Sequence, residues 1–263
     1  MVEQRSIVTV TTDFGSADGY AGVVKGVILS IAPAATIVDL SHDVGRWDIA
    51  AAAWILATSY RYFPADTVHL GVVDPAVGTA RRKVIVKAGH GVFVGPDNGI
   101  FSQVLAREKE HSAFELSEKR FWLADPSSTF HGRDIFAPVA AYYLNGVEPA
   151  ALGTEIDPAT LVRLPESALI ASGNTIEGRV VYVDHFGNLV TNIAGAQVRA
   201  GASFTLAGRQ LGMLAHTYES AGSGSPVALL GSHGFVEIAV NRGKASELLE
   251  AGVGTVVQLD WER

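Results

Sequence analysis

The chain has 263 residues, no cysteine and a formal net charge of −7, with 48% hydrophobic and 18% charged residues. This composition is typical of a folded protein and excludes disorder over the whole length. The lack of thiols excludes disulfides, thiolate catalysis and cysteine-held metal centres, and the acidic balance argues against nucleic acid as the main partner.

The first half of the chain alternates between predicted strands and helices. We predict strands at residues 7–11, 36–40 and 67–73 and helices at residues 20–31 and 49–60, with Asp48 as a helix cap. Two further strands, residues 83–87 and 91–94, and a helix over residues 134–144 follow. This alternation predicts βαβ units and a largely parallel sheet.

The character of the sequence changes near residues 158–175, where prolines and a Ser-Gly-Asn turn predict a linker. Beyond it, short predicted strands are separated by glycine-rich breaks, at residues 176–183, 189–193, 203–206, 227–230, 236–239 and 255–259. We therefore expect two domains: an α/β sandwich over residues 1–164 and a small all-β sandwich or barrel over residues 174–263.

Residues 1–6 lack the charged and then apolar pattern of a signal peptide. The longest mostly apolar run, residues 49–58, is far shorter than the roughly 20 residues of a membrane-spanning helix. We expect a cytoplasmic protein that does not bind membranes.

Three polar loops follow the predicted parallel strands, at residues 12–15, 41–43 and 74–79. Ligands of open α/β sheets bind beyond the carboxyl ends of the strands, so these loops predict a site at one sheet edge. Taken alone, each aspartate is as consistent with a structural role, in a turn or a helix cap, as with a functional one. A hard-metal site made by Asp13, His42 and Asp43 is a further alternative.

Other polar clusters lie at residues 96–99, 131–134, 184–188 and 232–234. The first is a turn signature, whereas His131, beside a glycine and before a predicted helix, is a candidate general base. The first strand is not followed by the glycine pattern of dinucleotide-binding proteins, and the chain has no P-loop, no H-E-x-x-H and no G-x-S-x-G motif.

An ordered set of motifs resembles the S-adenosyl-L-methionine hydrolases, also called hydroxide adenosyltransferases. These enzymes are relatives of those that make 5′-fluoro- and 5′-chloro-5′-deoxyadenosine. The motifs span nearly the whole chain: TTDFG at 11–15, KGVI at 25–28, IVDLSH at 37–42, FP at 63–64, VVDP at 72–75, GT at 78–79, PDNG at 96–99, STFHGRDIF at 128–136, DHFGNL at 184–189 and SHGF at 232–235.

The resemblance implies an amino-terminal α/β domain, a carboxyl-terminal β-barrel and a homotrimer with sites between subunits. It also implies that Asp74, Arg81 and His131 form the hydrolytic triad. An arginine beside Asp74 favours the ionised carboxylate, which together with His131 orients and deprotonates a water. Either of the two groups would take the proton, and Arg82 is an alternative to Arg81.

The leaving group of the implied substrate is a neutral thioether, so the reaction needs no metal and no cofactor. A carboxylate about 4 Å from a chloride costs on the order of 4 kcal/mol at an effective dielectric constant of 20, so Asp74 favours water over halide. The resemblance places Asp13 on the ribose hydroxyls and Asn188 on the adenine edge. For the methionine part it implies contacts by Asp184 with the ammonium, by Ser232 with the carboxylate, and by Trp47. Phe14, Phe186 and His233 are further substrate-binding residues that the resemblance implies.

Three residues depart from the hydrolase pattern. Ala76 replaces a common glycine, Trp47 is more typical of the halogenating enzymes, and His233 stands where those enzymes carry an arginine. The first two departures leave open a halide-dependent adenosyltransferase that makes 5′-chloro-5′-deoxyadenosine. A second alternative is a non-catalytic protein that binds S-adenosylmethionine or adenosine.

Overall fold

The computed structural model describes residues 7–261. The chain divides into two compact units between Leu164 and Pro165. Within residues 7–261, no helix is both long enough and apolar enough to cross a bilayer.

The first unit is a seven-stranded sheet covered by helices. Its strands are β1 (Ile7–Thr12), β2 (Thr36–Ser41), β3 (Thr67–Val72), β4 (Lys83–Ala88), β5 (Gly91–Pro96), β6 (His111–Glu115) and β7 (Thr154–Ile156). Its α-helices are α1 (Tyr20–Ile31), α2 (Ile49–Ser59), α3 (Ser102–Arg107), α4 (Ala137–Leu144) and α5 (Pro149–Leu152). A π-helix at Gly132–Phe136 precedes α4, and 3₁₀ turns lie at Tyr60–Tyr62, Lys119–Phe121 and Pro158–Thr160.

The sheet has the strand order β2-β1-β3-β5-β4-β6-β7. The first four strands are parallel, whereas β4 is antiparallel to β5 and β6, and β7 is antiparallel to β6. The predicted parallel sheet is thus confirmed for β2, β1, β3 and β5, whereas β4, β6 and β7 add an antiparallel half. The reason is the two-residue connection from β4 to β5, which is too short for a parallel crossover.

Two hydrophobic clusters cover the two faces of this sheet. Val8 and Val10 of β1 belong to the cluster that includes Val24 and Ile28 of α1 and much of α4. The opposite cluster includes Phe93 of β5 together with buried residues of α2 and α3. The alternation of strand side chains between the two clusters gives the α/β sandwich that the sequence predicts.

Helix α2 begins as the sequence predicts, because the Asp48 carboxylate accepts a hydrogen bond from the Ala51 N–H. The predicted helix over residues 134–144 is wrong at its start. Helical structure begins at Gly132, and its first turn is a π-helix. The sequence does not predict α3, β6 and β7, because each is short and none has a clear period.

The second unit is a closed β-barrel. Its strands are β8 (Ile170–Ser172), β9 (Thr175–Val183), β10 (Leu189–Ala194), β11 (Ser203–Leu206), β12 (Arg209–Ala215), β13 (Pro226–Leu230), β14 (Phe235–Val240) and β15 (Val256–Asp260). A short helix, α6 (Ala245–Leu248), and 3₁₀ turns at Gly195–Gln197 and Tyr218–Ser220 complete the unit.

Seven strands close the ring in the order β10-β14-β13-β12-β11-β15-β9, and β9 pairs back onto β10. Strand β8 adds to β9 outside the ring. Phe204, Ile238 and Leu259 are fully buried in the interior. Of the two predicted alternatives, sandwich or barrel, the barrel is confirmed.

Candidate functional site

The three polar loops of the first unit lie at one edge of its sheet. Strand β1 lies between β2 and β3 and is parallel to both, so the loops after these strands emerge together. The Gly15 N–H donates to the His42 carbonyl oxygen over 2.7 Å, and the Thr12 hydroxyl lies 2.8 Å from Nδ1 of His42. The loops after β1 and β2 are thus in contact, and the prediction that the three loops lie at one edge of the sheet is confirmed.

Arg81 contacts both Asp74 and His131. Its Nε–H lies 2.9 Å from each carboxylate oxygen of Asp74, and its Nη2 also pairs with Oδ2. The same Nη2 lies 2.9 Å from Nδ1 of His131. Since a guanidinium has donors and no acceptor, Nδ1 of His131 accepts this bond, and a neutral imidazole then carries its proton on Nε2.

This cluster is shielded from solvent. The side chains of Arg81 and Asp74 are 8% and 5% exposed, and His131 is 8% exposed. Burial lowers the pKa of His131, and the charges of Arg81 and Lys83 lower it further, against the opposing charges of Asp74 and Asp134. His131 is therefore neutral at pH 7, in agreement with its role as an acceptor from Arg81.

The neighbouring arginine takes no part in this cluster. The Arg82 Nε donates to Asp97 over 2.8 Å, and its other nitrogens bond to Thr160. Of the two arginines that the sequence leaves open, the structure therefore brings Arg81 to Asp74.

Close backbone approaches fix the loops that carry the triad side chains. Gly78 has a φ of +81° and lies against the Ser128 carbonyl oxygen, so a side chain there would overlap that oxygen. A Cβ at Gly132 would lie 3.3 Å from Phe14 and 3.4 Å from Val72. The loop before His131 thus packs against the loop after β3, and the start of the π-helix packs against Phe14 and the end of β3.

The buried carboxylate of Asp134 stabilises the loop before His131. It is 2% exposed and accepts bonds from the Ser127 N–H over 2.8 Å and from the Arg133 Nε over 2.6 Å. Burial opposes ionisation, yet the bonds from Arg133 and Ser127 hold the pKa of Asp134 below its usual value. Asp134 therefore anchors this loop as a buried carboxylate.

Lys83 is a further neighbour of the triad, and its charge acts on His131. Its Nζ lies 5.6 Å from the centroid of the Trp122 ring. Burial lowers the pKa of Lys83, and the charge of Arg81 lowers it further. Sequence alone gives no signal for this residue, because its position depends on where β4 lies in the sheet.

Asp13 and Trp47 are joined by a hydrogen bond. The Trp47 N–H donates to Oδ2 of Asp13 over 2.9 Å. Trp47 has a φ of +63°, rare for a residue with a side chain, and it is 69% exposed. A strained backbone at a loop beside a candidate site is a recurrent sign of a functional constraint.

Phe14 belongs to an aromatic group with Tyr20 and Phe130. The ring centroids of Phe14 and Phe130 are 5.7 Å apart and those of Tyr20 and Phe130 are 5.3 Å apart. Both pairs are edge-to-face, and Tyr20 is 51% exposed. The group presents an aromatic surface next to the loop that carries His131.

In the barrel, Asp184 and Asn188 bind one another. The Asn188 N–H donates to Oδ1 of Asp184 over 2.8 Å, and its Nδ2 donates to Oδ2 over 2.9 Å. Asn188 is buried, whereas Phe186 between them is 71% exposed. The turn is thus rigid at its polar base and presents Phe186 at its tip.

His233 is engaged on both ring nitrogens. Its Nδ1 accepts from the Phe235 N–H over 3.2 Å, and its Nε2 lies 3.3 Å from the buried Glu237 carboxylate. Glu237 also accepts from the Tyr218 hydroxyl over 2.8 Å, and burial together with this bond raises the pKa of Tyr218 to about 12. Ser232 beside His233 is exposed.

The alternative of a hard-metal site finds no support in the geometry. Within residues 7–261, no three His, Asp or Glu side chains are grouped so that they could hold a metal ion. The proposed ligands have other partners: Asp13 accepts from Trp47, and His42 contacts Thr12 and Asp39.

Comparison with known families identifies the chain. The family model described as SAM hydroxide adenosyltransferase N-terminal domain matches residues 8–153, and its C-terminal counterpart matches residues 178–258. The chain belongs to the SAM hydroxide adenosyltransferase family.

Two (R)-S-adenosyl-L-methionine hydrolases are similar to this chain over almost their whole length. The (R)-S-adenosyl-L-methionine hydrolase of Salinispora tropica is 39% identical over 92% of this chain and 93% of its own. That of Thermus thermophilus is 41% identical over 94% and 97%. Proteins named fluorinase match at 30% identity or less. A crystal structure of an uncharacterized conserved protein from Thermotoga maritima has a TM-score of 0.90 at 32% identity, covering 97% of this chain and 99% of that one.

Ala76, which departs from the hydroxide adenosyltransferase pattern, lies in a tight turn after Asp74. The Val77 N–H donates to the Asp74 carbonyl over 3.3 Å, and the Thr79 hydroxyl donates to the Ala76 carbonyl over 2.8 Å. In this chain the alanine is compatible with the ordered turn that carries Asp74.

Proposed function

We propose that the protein hydrolyses S-adenosyl-L-methionine to adenosine and L-methionine. The observation that carries the proposal is the buried Asp74–Arg81–His131 cluster in a chain of this family. The names of the relatives specify the (R) configuration at sulfur, and we extend this preference to the present chain.

The reaction is an in-line substitution at C5′ of the substrate. The water oxygen forms a bond to C5′ while the C5′–S bond breaks, and the bonding pair leaves with sulfur as a neutral thioether. No acid and no metal are needed for such a leaving group. The protein's task is to hold one water in line and to accept its proton in a site that excludes other water.

The hydrogen bonds of the cluster favour Asp74 as the proton acceptor. Neutral His131 has its Nδ1 occupied by Arg81, so its Nε2–H is available to donate to the water oxygen. Asp74 is bound by Arg81 but retains further lone pairs, because a carboxylate accepts about four hydrogen bonds. His131 therefore orients the water, and Asp74 takes its proton.

Substrate binding is assigned by the resemblance and supported by the chemistry of each side chain. Asp13 suits a pair of ribose hydroxyls, and the Oδ1 of Asn188 remains able to accept from an adenine amino group while its Nδ2 is bonded to Asp184. Because both nitrogens of His233 are engaged, we assign the methionine carboxylate to Ser232. The proposal includes a homotrimer with sites between subunits.

The test is incubation of the purified protein with each sulfur epimer of S-adenosyl-L-methionine, with products separated by chromatography and identified by mass. We expect adenosine and L-methionine from the (R) epimer. Asp74→Asn should lower kcat by about 100-fold or more, because loss of a positioned general base typically costs two to four orders of magnitude. The matched control is Asp66→Asn, in an exposed turn of the same unit, which should keep the wild-type rate.

Two outcomes would contradict this proposal. Formation of 5′-chloro-5′-deoxyadenosine with added chloride, at a rate that Asp74→Asn leaves unchanged, would indicate a halide-dependent adenosyltransferase. Recovery of intact substrate from a tight complex after long incubation would indicate a binding protein.

A further inference from the structure

The turn at residues 96–99, here called the anchoring turn (Pro96-Asp97-Asn98-Gly99), reaches the start of the loop that carries Asp74. The Nδ2 of Asn98 donates to the Val73 carbonyl oxygen over 2.8 Å. The Oδ1 of Asn98 accepts from the Ile100 N–H over 3.2 Å, so both ends of the amide are engaged. Val73 is fully buried and directly precedes Asp74.

The same turn holds the other end of that loop. The Asp97 N–H donates to the Arg82 carbonyl over 3.0 Å, and the Asp97 carboxylate lies 2.6 Å from Nη2 of Arg82. Arg82 directly follows Arg81, whose own Nη1 also reaches the Arg82 carbonyl at 3.4 Å. Two adjacent residues of the anchoring turn therefore fix both ends of the loop from Val73 to Arg82.

This arrangement has a specific consequence for the triad. A hydrogen bond to the Val73 carbonyl fixes the peptide plane between Val73 and Asp74, and this plane sets the direction in which the Asp74 side chain leaves the backbone. Asp97 likewise holds the backbone of the residue that follows Arg81. The separation between the Asp74 carboxylate and the Arg81 guanidinium is thus determined at both backbone attachments.

We propose that Asn98 is a positioning residue for hydrolysis, which acts on Asp74 through the Val73 carbonyl, with Asp97 acting in the same way at Arg81. The inference rests on the proposed function. Asn98 is the better residue to test, because Asp97 also accepts from the Val162 N–H over 2.8 Å and so holds a second segment.

The anchoring turn has two conceivable roles, in folding alone or in positioning Asp74, and the two roles lead to different experimental results. Loss of a purely structural bond would lower the melting temperature and leave kcat of the folded protein unchanged. Loss of a positioning bond would lower kcat and leave KM nearly constant, because the substrate contacts are not touched.

The experiment compares Asn98→Ser and Asn98→Asp with the wild type. Both variants keep an oxygen for the Ile100 N–H and lose the amide donor to Val73; the aspartate has almost the shape of the native side chain, so it is the variant that disturbs packing least. The matched control is Asn145→Ser. Asn145 makes an equivalent amide-to-carbonyl bond, to Ile31 over 2.7 Å, in an exposed part of the same unit.

We expect kcat to fall about 10- to 100-fold in both Asn98 variants, with KM within about threefold of the wild type, because small misplacements of reacting groups cost rates of this order. Asn145→Ser should retain the wild-type kcat. The inference is overturned if both Asn98 variants keep kcat within about twofold of the wild type, or if the loss appears only in KM. A wild type that releases no adenosine would instead refute the proposed function.

Discussion

Arg81 donates at once to the carboxylate of Asp74 and to the ring of His131. Its planar guanidinium provides donors in fixed directions, which the single ammonium of a lysine cannot reproduce. The Arg81 guanidinium also lies 5.3 Å from the centroid of the Phe136 ring, which holds its plane from one face. One buried cation therefore sets the orientation of both neighbours and the tautomer of the histidine.

The pH dependence of the reaction should report His131. Burial and the charges of Arg81 and Lys83 lower its pKa, while Asp74 and Asp134 act in the opposite direction. The active form has the neutral ring. The rate should therefore persist below pH 6.5, the ordinary pKa of a histidine, and should fall only when the pH drops below the lowered pKa of His131. Lys83→Met removes one of the lowering charges, so the acid limb of kcat should move to higher pH.

Lys87→Met is the matched control for this shift. Lys87 lies on the same strand, four residues further on, and is not among the charges that act on the pKa of His131. The measurement is kcat between about pH 4.5 and 8 for the three proteins, each normalised to its own plateau. An unchanged acid limb in Lys83→Met would refute the electrostatic role of this lysine.

At the scale of elements, the triad depends on two loops that meet without side chains between them. Gly78 lies directly against the Ser128 carbonyl oxygen, with a positive φ. The loop after β3 can therefore approach the loop before His131 as closely as backbone atoms allow. A side chain at this position would separate Asp74 from His131.

Gly78→Ala tests this close approach. Gly146 also has a positive φ, of +89°, but a Cβ added there would have no other atom within 4 Å, so Gly146→Ala reports conformational strain alone. We expect Gly146→Ala to cost about 1 kcal/mol of unfolding free energy, and Gly78→Ala about 1–3 kcal/mol more, because the methyl group must displace backbone.

Urea denaturation and kcat measure the two effects of these glycine variants. Gly78→Ala should lose most of its activity at a temperature where it is still folded, whereas Gly146→Ala should keep the wild-type rate. Equal losses of stability in the two variants would show that the loops do not constrain each other.

Sequence patterns predict the helices and strands whose apolar residues recur at regular spacing, and they miss those without such spacing. Helix α1 has the bounds that the sequence predicts, because its apolar residues recur at helical spacing before Pro33. Strand β12, in contrast, alternates poorly, since Arg209 and Gln210 are both exposed and Gly212 interrupts it. Its place in the barrel comes from pairing with β11 and β13, which its own sequence does not encode.

The site likewise contains some residues that the sequence indicates and others that it does not. The resemblance names Asp74, Arg81 and His131 as one group, and their side chains are in contact. The positions of Lys83 and Asn98 beside this group cannot be read from the sequence. Both depend on the hairpin of β4 and β5 lying beside β3, a long-range pairing that no local pattern specifies.

At the scale of the whole molecule, the core of the first unit contains a buried histidine. His69 is fully buried, stacks on Phe93 with centroids 5.0 Å apart, and its Nδ1 lies 2.8 Å from the Thr9 hydroxyl. Burial lowers the pKa of His69 to about 4, and the charge of His90 adds to the effect. The folded unit therefore keeps this ring neutral in mild acid.

Acid should destabilise the first unit through this residue. The unfolded chain binds a proton at His69 once the pH falls below about 6.5, whereas the folded chain does so only near pH 4. The unfolding free energy should thus fall by up to about 3 kcal/mol between these two pH values. His69→Gln should lose this part of the pH dependence, although its stability at pH 7 is lower.

Hydrogen exchange with mass spectrometry measures this effect, because it follows peptides of the first unit separately from those of the barrel. His216→Gln, at an exposed position of the barrel, is the control. The assignment to His69 fails if His69→Gln and the wild type lose the same unfolding free energy between pH 6.5 and about pH 4.

The edge strands of the two sheets also affect the tendency of the protein to aggregate. The barrel closes on itself, and the strands outside it or at the margins of the first sheet offer little for another chain to pair with. Strands β7 and β8 have three residues each, and β2 carries Asp39 in an ion pair with Lys25 at 2.9 Å. Short or charged margins of this kind protect β-proteins from strand-by-strand aggregation, so the fifteen strands of residues 7–261 present hardly any template for a fibril.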